Sequence, residues 1–274
     1  MFRLALVQMK VLPGQKAANL RHSVELVRQA KKAGADVVLL PEVMDLGWGY
    51  PAEPQEADSL PYGRTCRVLS RTAKKEKVYL CSGVTERSGS MVYNSAVLID
   101  PEGRVILTHR KINELEISHS VYGHGDRLNV CPTPLGTFGL MICADATAKD
   151  HVLARSLCYM GADVILSPSA WAVPPDHDNT KDPYGATWSD AYGPVAKEFS
   201  VWIAGCSSVG TVGYGAWKEW KCIGASLVAG PDGREVLRGP YGEAAETILT
   251  VDIAPVRRPA RGTAWWSWWE KGRS

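Results

Sequence analysis

Residues 137–168, TFGLMICADATAKDHVLARSLCYMGADVILSP, contain the pattern that determines the fold class. An apolar run ends at Cys143, a helical stretch extends from about 149 to 160, and a second apolar run, ADVILSP, follows. Two short apolar runs joined by an amphipathic helix predict a strand–helix–strand unit. Similar runs occur elsewhere, as RLALVQM, DVVLLPE, VYLCSGV, MVYNSAVLID, GRVILTHRK, VWIAGCSS, IGASLVAGPDGREVL and AETILTVDI. The sequence therefore predicts an α/β fold with mixed sheets.

Local signals along the chain divide these runs without dividing the domain. The segments DPEG and GPDG predict hairpin turns between antiparallel neighbours. The stretch NLRHSVELVRQAKKAGA places Leu20, Val24 and Val27 on one helical face and ends at Gly34. No linker or internal repeat interrupts residues 1–253, which we expect to form a single domain. Residues 254–274 are expected to form a separate C-terminal arm.

Composition and charge narrow the possible functions. The chain has 274 residues, 45% of them hydrophobic and 22% charged, with a formal net charge of +2. These values are typical of a soluble globular protein. With 31 basic and 29 acidic residues there is no strong basic surplus, so we expect a small-molecule substrate and no nucleic-acid partner. No apolar run reaches the ~18 residues of a membrane span, and the first residues do not resemble a signal peptide. Seven cysteines without such a signal favour free thiols and a cytoplasmic location.

Three of the predicted strands end in a residue with useful chemistry. Glu42 closes DVVLLPE, Lys111 closes VILTHRK, and Cys143 closes GLMIC. Ligands of open α/β sheets bind at such strand ends. A thiol, a carboxylate and an ammonium that meet there supply a nucleophile, a base and a cation for a developing oxyanion. Two plainer interpretations remain open at this point: an inert buried cysteine, and solvated Glu and Lys side chains.

Longer segments around these residues resemble a known family. The segments are LLPE at 39–42, NSAVLIDPEGRVILTHRKIN at 94–113, and GLMICAD continuing to ARSLCYMGADVILSPSAW at 171. In this order they resemble the carbon-nitrogen hydrolase (nitrilase) superfamily, in its amidase and carbamoylase-like branch, over residues 3 to about 252. The resemblance implies a four-layer α-β-β-α sandwich. It also implies that Glu42 is the general base, Lys111 the catalytic lysine and Cys143 the nucleophile.

The resemblance implies a covalent mechanism. Cys143 attacks an amide carbon to give a thioester, ammonia or an amine leaves, and Glu42 activates the water that hydrolyses the thioester. Lys111 and the backbone N–H of Ala144 are expected to hold the oxyanion. No metal or organic cofactor is required, and the spacing of the histidines and of Cys131 matches no usual zinc-ligand pair.

The chain departs from the family pattern in two places. Many members carry a second glutamate about seven residues after the lysine, where this chain has Ser118. We prefer Glu116 for this role, with Glu114 as the alternative. After the cysteine, Ala144 replaces the aromatic residue of many members, and the tryptophan–glutamate pair of true nitrilases is absent. These differences favour an amide or an N-carbamoyl substrate over a nitrile.

Substrate contacts are expected from two loops. Trp171 begins a segment that resembles the family's pocket-rimming loop, and Tyr50 lies in the glycine-containing loop after Glu42. We expect both side chains to line the pocket. Asp178 or Asp182 could meet an amine of the substrate, although both are also ordinary loop residues.

The sequence of the C-terminal arm predicts that the protein forms a homo-oligomer. Trp265, Trp266, Trp268 and Trp269 fall within five residues, and a cluster of that apolar area requires a covering surface. We expect a homodimer or larger homo-oligomer with this arm at the interface, and docking on its own domain is the alternative. Two functional alternatives also remain: a catalytically silent relative that acts as a binding or assembly module, and a nitrilase.

Overall fold

A computed structural model describes residues 1–53, 55–256 and 269–271 of the chain. The helices are α1 (Lys16–Lys32), α2 (Arg64–Glu76), α3 (Val152–Met160) and α4 (Ala186–Phe199). The strands are β1 (Phe2–Gln8), β2 (Val37–Leu39), β3 (Tyr79–Ser88), β4 (Met91–Ile99), β5 (Val105–Arg110), β6 (Val130–Thr133), β7 (Gly136–Leu140), β8 (Val164–Ser169), β9 (Ala172–Val173), β10 (Trp202–Ser207), β11 (Val209–Thr211), β12 (Lys221–Ile223), β13 (Leu227–Ala229), β14 (Glu235–Arg238) and β15 (Thr247–Ile253).

Most strands of the described residues belong to two six-stranded sheets. The first has the order β15-β1-β2-β3-β4-β5, and the second has the order β14-β13-β10-β8-β7-β6. In each sheet three neighbouring strands are parallel, β1-β2-β3 and β7-β8-β10, and the outer pairings are antiparallel. The DPEG turn joins β4 to β5 and the GPDG turn joins β13 to β14, both as antiparallel pairs.

The two sheets pack face to face with helices outside them. One apolar cluster combines side chains of the first sheet, such as Leu6 and Leu98, with Leu140 and Leu166 of the second. A second cluster joins the opposite face of the first sheet to α1 and α2. Helices α3 and α4 contact the second sheet. Buried parallel strands read as continuous apolar runs because both of their faces are covered. This arrangement, together with the structural relatives given below, confirms the expected four-layer sandwich with mixed sheets.

Helices α2 and α4 are difficult to predict from the sequence. The buried positions of α2, Thr65, Cys66, Leu69, Thr72 and Ala73, have helical spacing, but only Leu69 among them is a large apolar residue. Helix α4 contains Gly193 and Pro194, residues that usually interrupt helices. The glycine is required by packing, since a Cβ there would lie 2.8 Å from the carbonyl oxygen of Gly233 in the GPDG turn.

The carboxyl ends of β2, β5 and β7 lead directly to Glu42, Lys111 and Cys143. A three-stranded sheet, with the order β11-β12-β9, covers this region. In the part of the chain that the structure describes, no helix is long and apolar enough to cross a membrane. Most of the expected C-terminal arm, including Trp265, Trp266 and Trp268, lies outside the described residues.

Candidate active site

Glu42 lies three residues beyond β2, and its side chain is almost fully buried. Its Oε1 atom accepts hydrogen bonds from Lys111 Nζ at 2.8 Å and from Asn94 Nδ2 at 2.6 Å. The neighbouring strand β3 approaches so closely at Gly83 that a Cβ there would be 2.5 Å from the Cα of Glu42. The absence of a side chain at Gly83 therefore allows the segment carrying Glu42 to lie against the sheet.

Lys111 follows β5, where its backbone N–H still bonds to the carbonyl oxygen of Asn94. The ammonium is buried between two carboxylates, 2.8 Å from Glu42 Oε1 and 3.7 Å from Glu114 Oε2. Burial lowers the pKa of Lys111, but the charges of the two glutamates outweigh that effect and hold this pKa well above its usual value. Lys111 is therefore a fixed positive charge at neutral pH.

Cys143 begins a 3₁₀ turn, Cys143–Thr147, instead of ending a strand as the sequence suggested. Its φ of 45° lies in the left-handed region, which costs a non-glycine residue free energy and is common where a side chain is held for function. The thiol accepts a hydrogen bond from the backbone N–H of Ala170. Burial and the charge of Glu42 raise the pKa of Cys143, whereas Lys111 and the Ala170 N–H lower it less strongly. The resting side chain is therefore a neutral thiol.

Glu114, and not Glu116, lies beside the lysine. The Glu114 side chain is buried and accepts a hydrogen bond from Ser118 Oγ at 3.0 Å. Glu116 is exposed and begins a 3₁₀ turn, Glu116–Ser118. The predicted placement of Glu116 beside Lys111 is wrong, because the chain turns directly after Lys111 and brings the residue three positions later inward. Burial raises the pKa of Glu114 to about 7, with Glu42 adding to the rise and Lys111 opposing it.

Asp145 connects the segment after Lys111 to the turn that carries Cys143. Its Oδ1 accepts the N–H groups of Ile112 and Asn113, and its Oδ2 accepts the N–H of Ile142 and a hydrogen bond with His109 Nε2 at 2.7 Å. Burial raises the pKa of Asp145, but the His109 and backbone hydrogen bonds outweigh it and keep the pKa below its usual value. One ionised carboxylate thus fixes two catalytic segments to each other.

Ala144 and Trp171 both lie close to the nucleophile. Ala144 is buried in the 3₁₀ turn, and its carbonyl oxygen accepts a hydrogen bond from Asn113 Nδ2 at 2.7 Å. Trp171 follows Ala170, is 1% exposed, and stacks on Trp188 with ring centroids 4.5 Å apart. The Nε1 of Trp171 is buried without a hydrogen-bond partner among the described residues.

Tyr50 has a different environment from the one expected. Its hydroxyl donates to Glu56 Oε1 at 2.8 Å, and its ring packs edge-on against Tyr214 at 5.0 Å. These contacts connect the side chain to Glu56 on its own loop and to the loop between β11 and β12, and they provide no support for a pocket-lining position. Asp178 is also used locally, as the acceptor for Thr180.

Reasoning from the sequence missed Asn94, His109, Asp145 and the N–H of Ala170. Asn94, His109 and Asp145 stand inside the quoted family segments, so position offered a signal for each, and Asp145 is only two residues from Cys143. The pairing of His109 with Asp145 across 36 positions gave no signal in the sequence. The Ala170 contribution is made by backbone, which any residue type supplies.

Comparison with known proteins identifies the family of this chain. The sequence profile of the carbon-nitrogen hydrolase family matches residues 3–261. Omega-amidase NIT2 from Mus musculus is 30% identical over 264 residues, covering 92% of this chain and 88% of its own length. A nitrilase from Pyrococcus abyssi is 28% identical over 261 residues, covering 94% and 92%.

The structural comparison supports the same fold. The crystal structure of an amidase from Nesterenkonia sp. superposes with a TM-score of 0.77 at 20% identity, covering 92% of this chain and 90% of that one. This chain belongs to the carbon-nitrogen hydrolase family. The membership confirms the resemblance and the enzyme class expected from it, a cysteine-dependent hydrolase of non-peptide carbon–nitrogen bonds.

Proposed function

We propose that this protein hydrolyses small linear amides, with Cys143 as nucleophile, Glu42 as general base, and Lys111 with the Ala144 N–H as the oxyanion site. The observation that carries the proposal is the buried cluster of a thiol, a carboxylate and an ammonium, in which the Glu42–Lys111 distance is 2.8 Å. An exposed ion pair contributes little, whereas a desolvated and oriented set of charges acts strongly on a reacting group.

The first half of the reaction forms an acyl-enzyme. The Cys143 thiol transfers its proton to Glu42 as its sulfur bonds to the amide carbon, because the raised pKa of the thiol disfavours a preformed thiolate. Lys111 and the Ala144 N–H stabilise the oxyanion, and each such donor contributes about 3 kcal/mol of barrier lowering. Glu42 then returns the proton to the nitrogen, the carbon–nitrogen bond breaks, and ammonia or an amine leaves a thioester.

The second half reverses these roles. Glu42 takes a proton from a water molecule whose oxygen attacks the thioester carbon. The tetrahedral intermediate collapses with cleavage of the carbon–sulfur bond, and the proton returns to Cys143. The products are a carboxylic acid and the regenerated thiol. One carboxylate serves both halves.

Glu114 and Asp145 act on the geometry of this cluster. Glu114 Oε2 lies 3.7 Å from Lys111 Nζ, so its charge helps to keep the ammonium protonated and in place. Asp145 fixes the distance between the Lys111 and Cys143 segments through its backbone hydrogen bonds. Both are positioning residues. Trp171 is proposed as a wall of the substrate pocket, because Ala170, directly before it, donates its N–H to the nucleophile.

An amide is proposed ahead of an N-carbamoyl compound or a nitrile. Two of the relatives above carry the names omega-amidase and amidase. The small Ala144 after Cys143 also differs from the tryptophan–glutamate pair expected of nitrilases.

Assembly and location are proposed separately from the chemistry. A homodimer or larger homo-oligomer is supported by the four tryptophans of the C-terminal arm, which need a covering surface. Sedimentation equilibrium of the full chain and of a chain cut after Arg261 tests it. A cytoplasmic location is supported by the seven free cysteines, and the near-neutral charge gives no support for a nucleic-acid partner.

The activity is tested by ammonia release from a panel of aliphatic and aromatic amides, N-carbamoyl amino acids and nitriles. We expect amides to be turned over and the Cys143→Ala variant to be inactive with an unchanged circular dichroism spectrum. Ammonia from nitriles alone would identify a nitrilase. A folded wild-type protein that releases no ammonia from any compound would support the silent-relative alternative.

A further inference from the structure

Three indoles form a continuous surface that the mechanism does not use. Trp217 and Trp220 are stacked in parallel, with ring centroids 4.2 Å apart and planes at 4°. Trp48 leans on Trp217 at 5.1 Å. Trp48 is buried, while Trp217 and Trp220 keep part of their surface exposed. We call these three residues the aromatic wall.

The aromatic wall borders the catalytic cluster. Trp48 lines one cavity together with Glu42, Val212 and Cys222. Trp48 also belongs to the apolar cluster that contains Ala170, the donor to the Cys143 thiol, and both Trp217 and Trp220 pack against that cluster. The wall is therefore connected to both sides of the reacting centre, the base and the nucleophile.

Trp220 directly precedes strand β12, which carries Cys222. Cys222 lies near Glu42, since both residues line the same cavity. Strand β12 pairs with β9, which begins directly after Trp171.

The loop that carries two of the indoles is held by its own backbone. The N–H of Val212 bonds to the carbonyl oxygen of Trp220 at 2.8 Å, and the N–H of Trp220 bonds to the carbonyl oxygen of Trp217 at 2.9 Å. A binding surface that is fixed before the ligand arrives loses less entropy on binding. The wall is thus a preformed flat apolar surface, and Trp48 connects it to the cavity that Glu42 lines.

We propose that the aromatic wall binds a flat, apolar acyl group, so that the preferred substrates are arylalkyl amides. The proposal rests on the proposed amidase function and names its substrate class. Indole faces attract other aromatic rings beyond the contribution of buried area alone. Lys111 is already engaged by Glu42 and Glu114, and is not offered to a second charged group of the substrate.

The test compares 3-phenylpropionamide, 3-cyclohexylpropionamide and glutaramic acid, an aliphatic amide with a terminal carboxylate. We expect kcat/KM of the wild type to be about tenfold higher for the phenyl compound than for the cyclohexyl compound. Trp220→Leu and, independently, Trp217→Leu should remove most of this ratio while thermal melting shows that they fold. Tyr62→Leu, a change at an aromatic residue that is 78% exposed, should leave the ratio unchanged.

Binding to the Cys143→Ala variant separates this proposal from the amidase function. If calorimetry gives tighter binding of the phenyl compound that is lost with Trp220→Leu, while no amide is turned over by the wild type, the wall stands and the proposed function fails. Turnover with equal kcat/KM for the phenyl and cyclohexyl compounds, or a preference for glutaramic acid, would overturn the wall. A Trp217→Leu variant that changes only the sedimentation coefficient would identify an interface between copies instead, and would also overturn it.

Discussion

Two groups in this protein each combine one lysine with two carboxylates but differ in character, and the first is fully buried while the second is partly exposed. In one, Lys111 lies between Glu42 and Glu114, and in the other Lys16 lies between Asp45 and Asp58. Both oxygens of Asp45 accept hydrogen bonds, from Leu46, Thr85 and Thr65. By contrast, Glu42 Oε2 and Glu114 Oε1 are buried without a hydrogen-bond partner among the described residues.

The carboxylate oxygens without hydrogen-bond partners indicate which of the two lysine–carboxylate groups we expect to be catalytic. A buried polar atom without a partner costs about 1 to 3 kcal/mol, so it persists where function requires it. Glu42 acts on the Cys143 thiol, where proton transfer needs a free acceptor, and Glu114 lies beside the Lys111 ammonium. The Asp45 group instead connects the loop after Glu42 to strand β3 through Thr85 and to helix α2 through Thr65. In the proposed mechanism the first group is catalytic, and we expect the second to be structural.

Replacing the two lysines by glutamine should separate these roles most strongly. Lys111→Gln removes the charge that stabilises the oxyanion, and we expect kcat to fall by about a hundredfold or more. Lys16→Gln leaves two carboxylates without their cation, and we expect the free energy of unfolding to fall by about 3 kcal/mol with kcat within about threefold of the wild type. Steady-state kinetics and urea unfolding measure the two effects. A large loss of kcat with Lys16→Gln, together with a large loss of stability and normal kcat with Lys111→Gln, would contradict these roles.

The two glutamates after Lys111 provide a matched pair. Glu114→Gln removes a buried charge 3.7 Å from the ammonium, and we expect kcat to fall by about tenfold. Glu116→Gln changes an exposed side chain, and we expect activity within about twofold of the wild type. A larger loss with Glu116→Gln than with Glu114→Gln would contradict the placement of both residues.

The pH dependence of stability should carry a signature of Glu114. Its pKa rises from 4.5 to about 7 on folding, so the folded state binds more protons than the unfolded state between these values. This group therefore makes stability fall as pH rises from about 4.5 to about 7, by at most about 1.4 kcal/mol per pH unit. Urea unfolding of the wild type and of Glu114→Gln across this range measures the difference. Parallel curves for the two proteins would refute the raised pKa.

Asp145 resembles Asp45 because both of its oxygens accept hydrogen bonds, but it lies next to the proposed active site. Asp145→Asn keeps the size of the side chain but replaces one acceptor oxygen with a donor that opposes a backbone N–H. We expect kcat to fall by about tenfold with KM little changed, since the pocket surface is intact. A rise in KM alone would assign Asp145 to substrate binding.

The sequence predicted the strands well because most of them are buried on both faces and read as short apolar runs. The DPEG and GPDG turns fixed two antiparallel pairs from local residues alone. Helices α2 and α4 were not predicted from the sequence, because α2 buries polar residues and α4 contains a glycine–proline pair. Only tertiary packing explains these residues. Local patterns report burial, but they do not report which element covers a given face.

The sequence predicted which residues form the candidate site, but it did not predict how they are arranged in space. Glu42, Lys111 and Cys143 were identified by position, and the structure brings all three together. The choice of Glu116 was wrong in placement because counting along the chain ignores the turn that Asp145 fixes at Ile112 and Asn113. The roles assigned to these residues, the homo-oligomer and the arm at its interface stay predictions.

The thioester proposed on Cys143 can be trapped as an acyl-enzyme. Wild-type protein mixed with a slowly hydrolysed amide and quenched in acid is analysed by intact-mass spectrometry and peptide mapping. We expect one added acyl group, located on Cys143, that disappears as the carboxylic acid product forms. This acyl group should be absent in the Cys143→Ala variant. Product formation with no acyl group on Cys143, or an equal distribution over Cys66, Cys81 and Cys131, would contradict it.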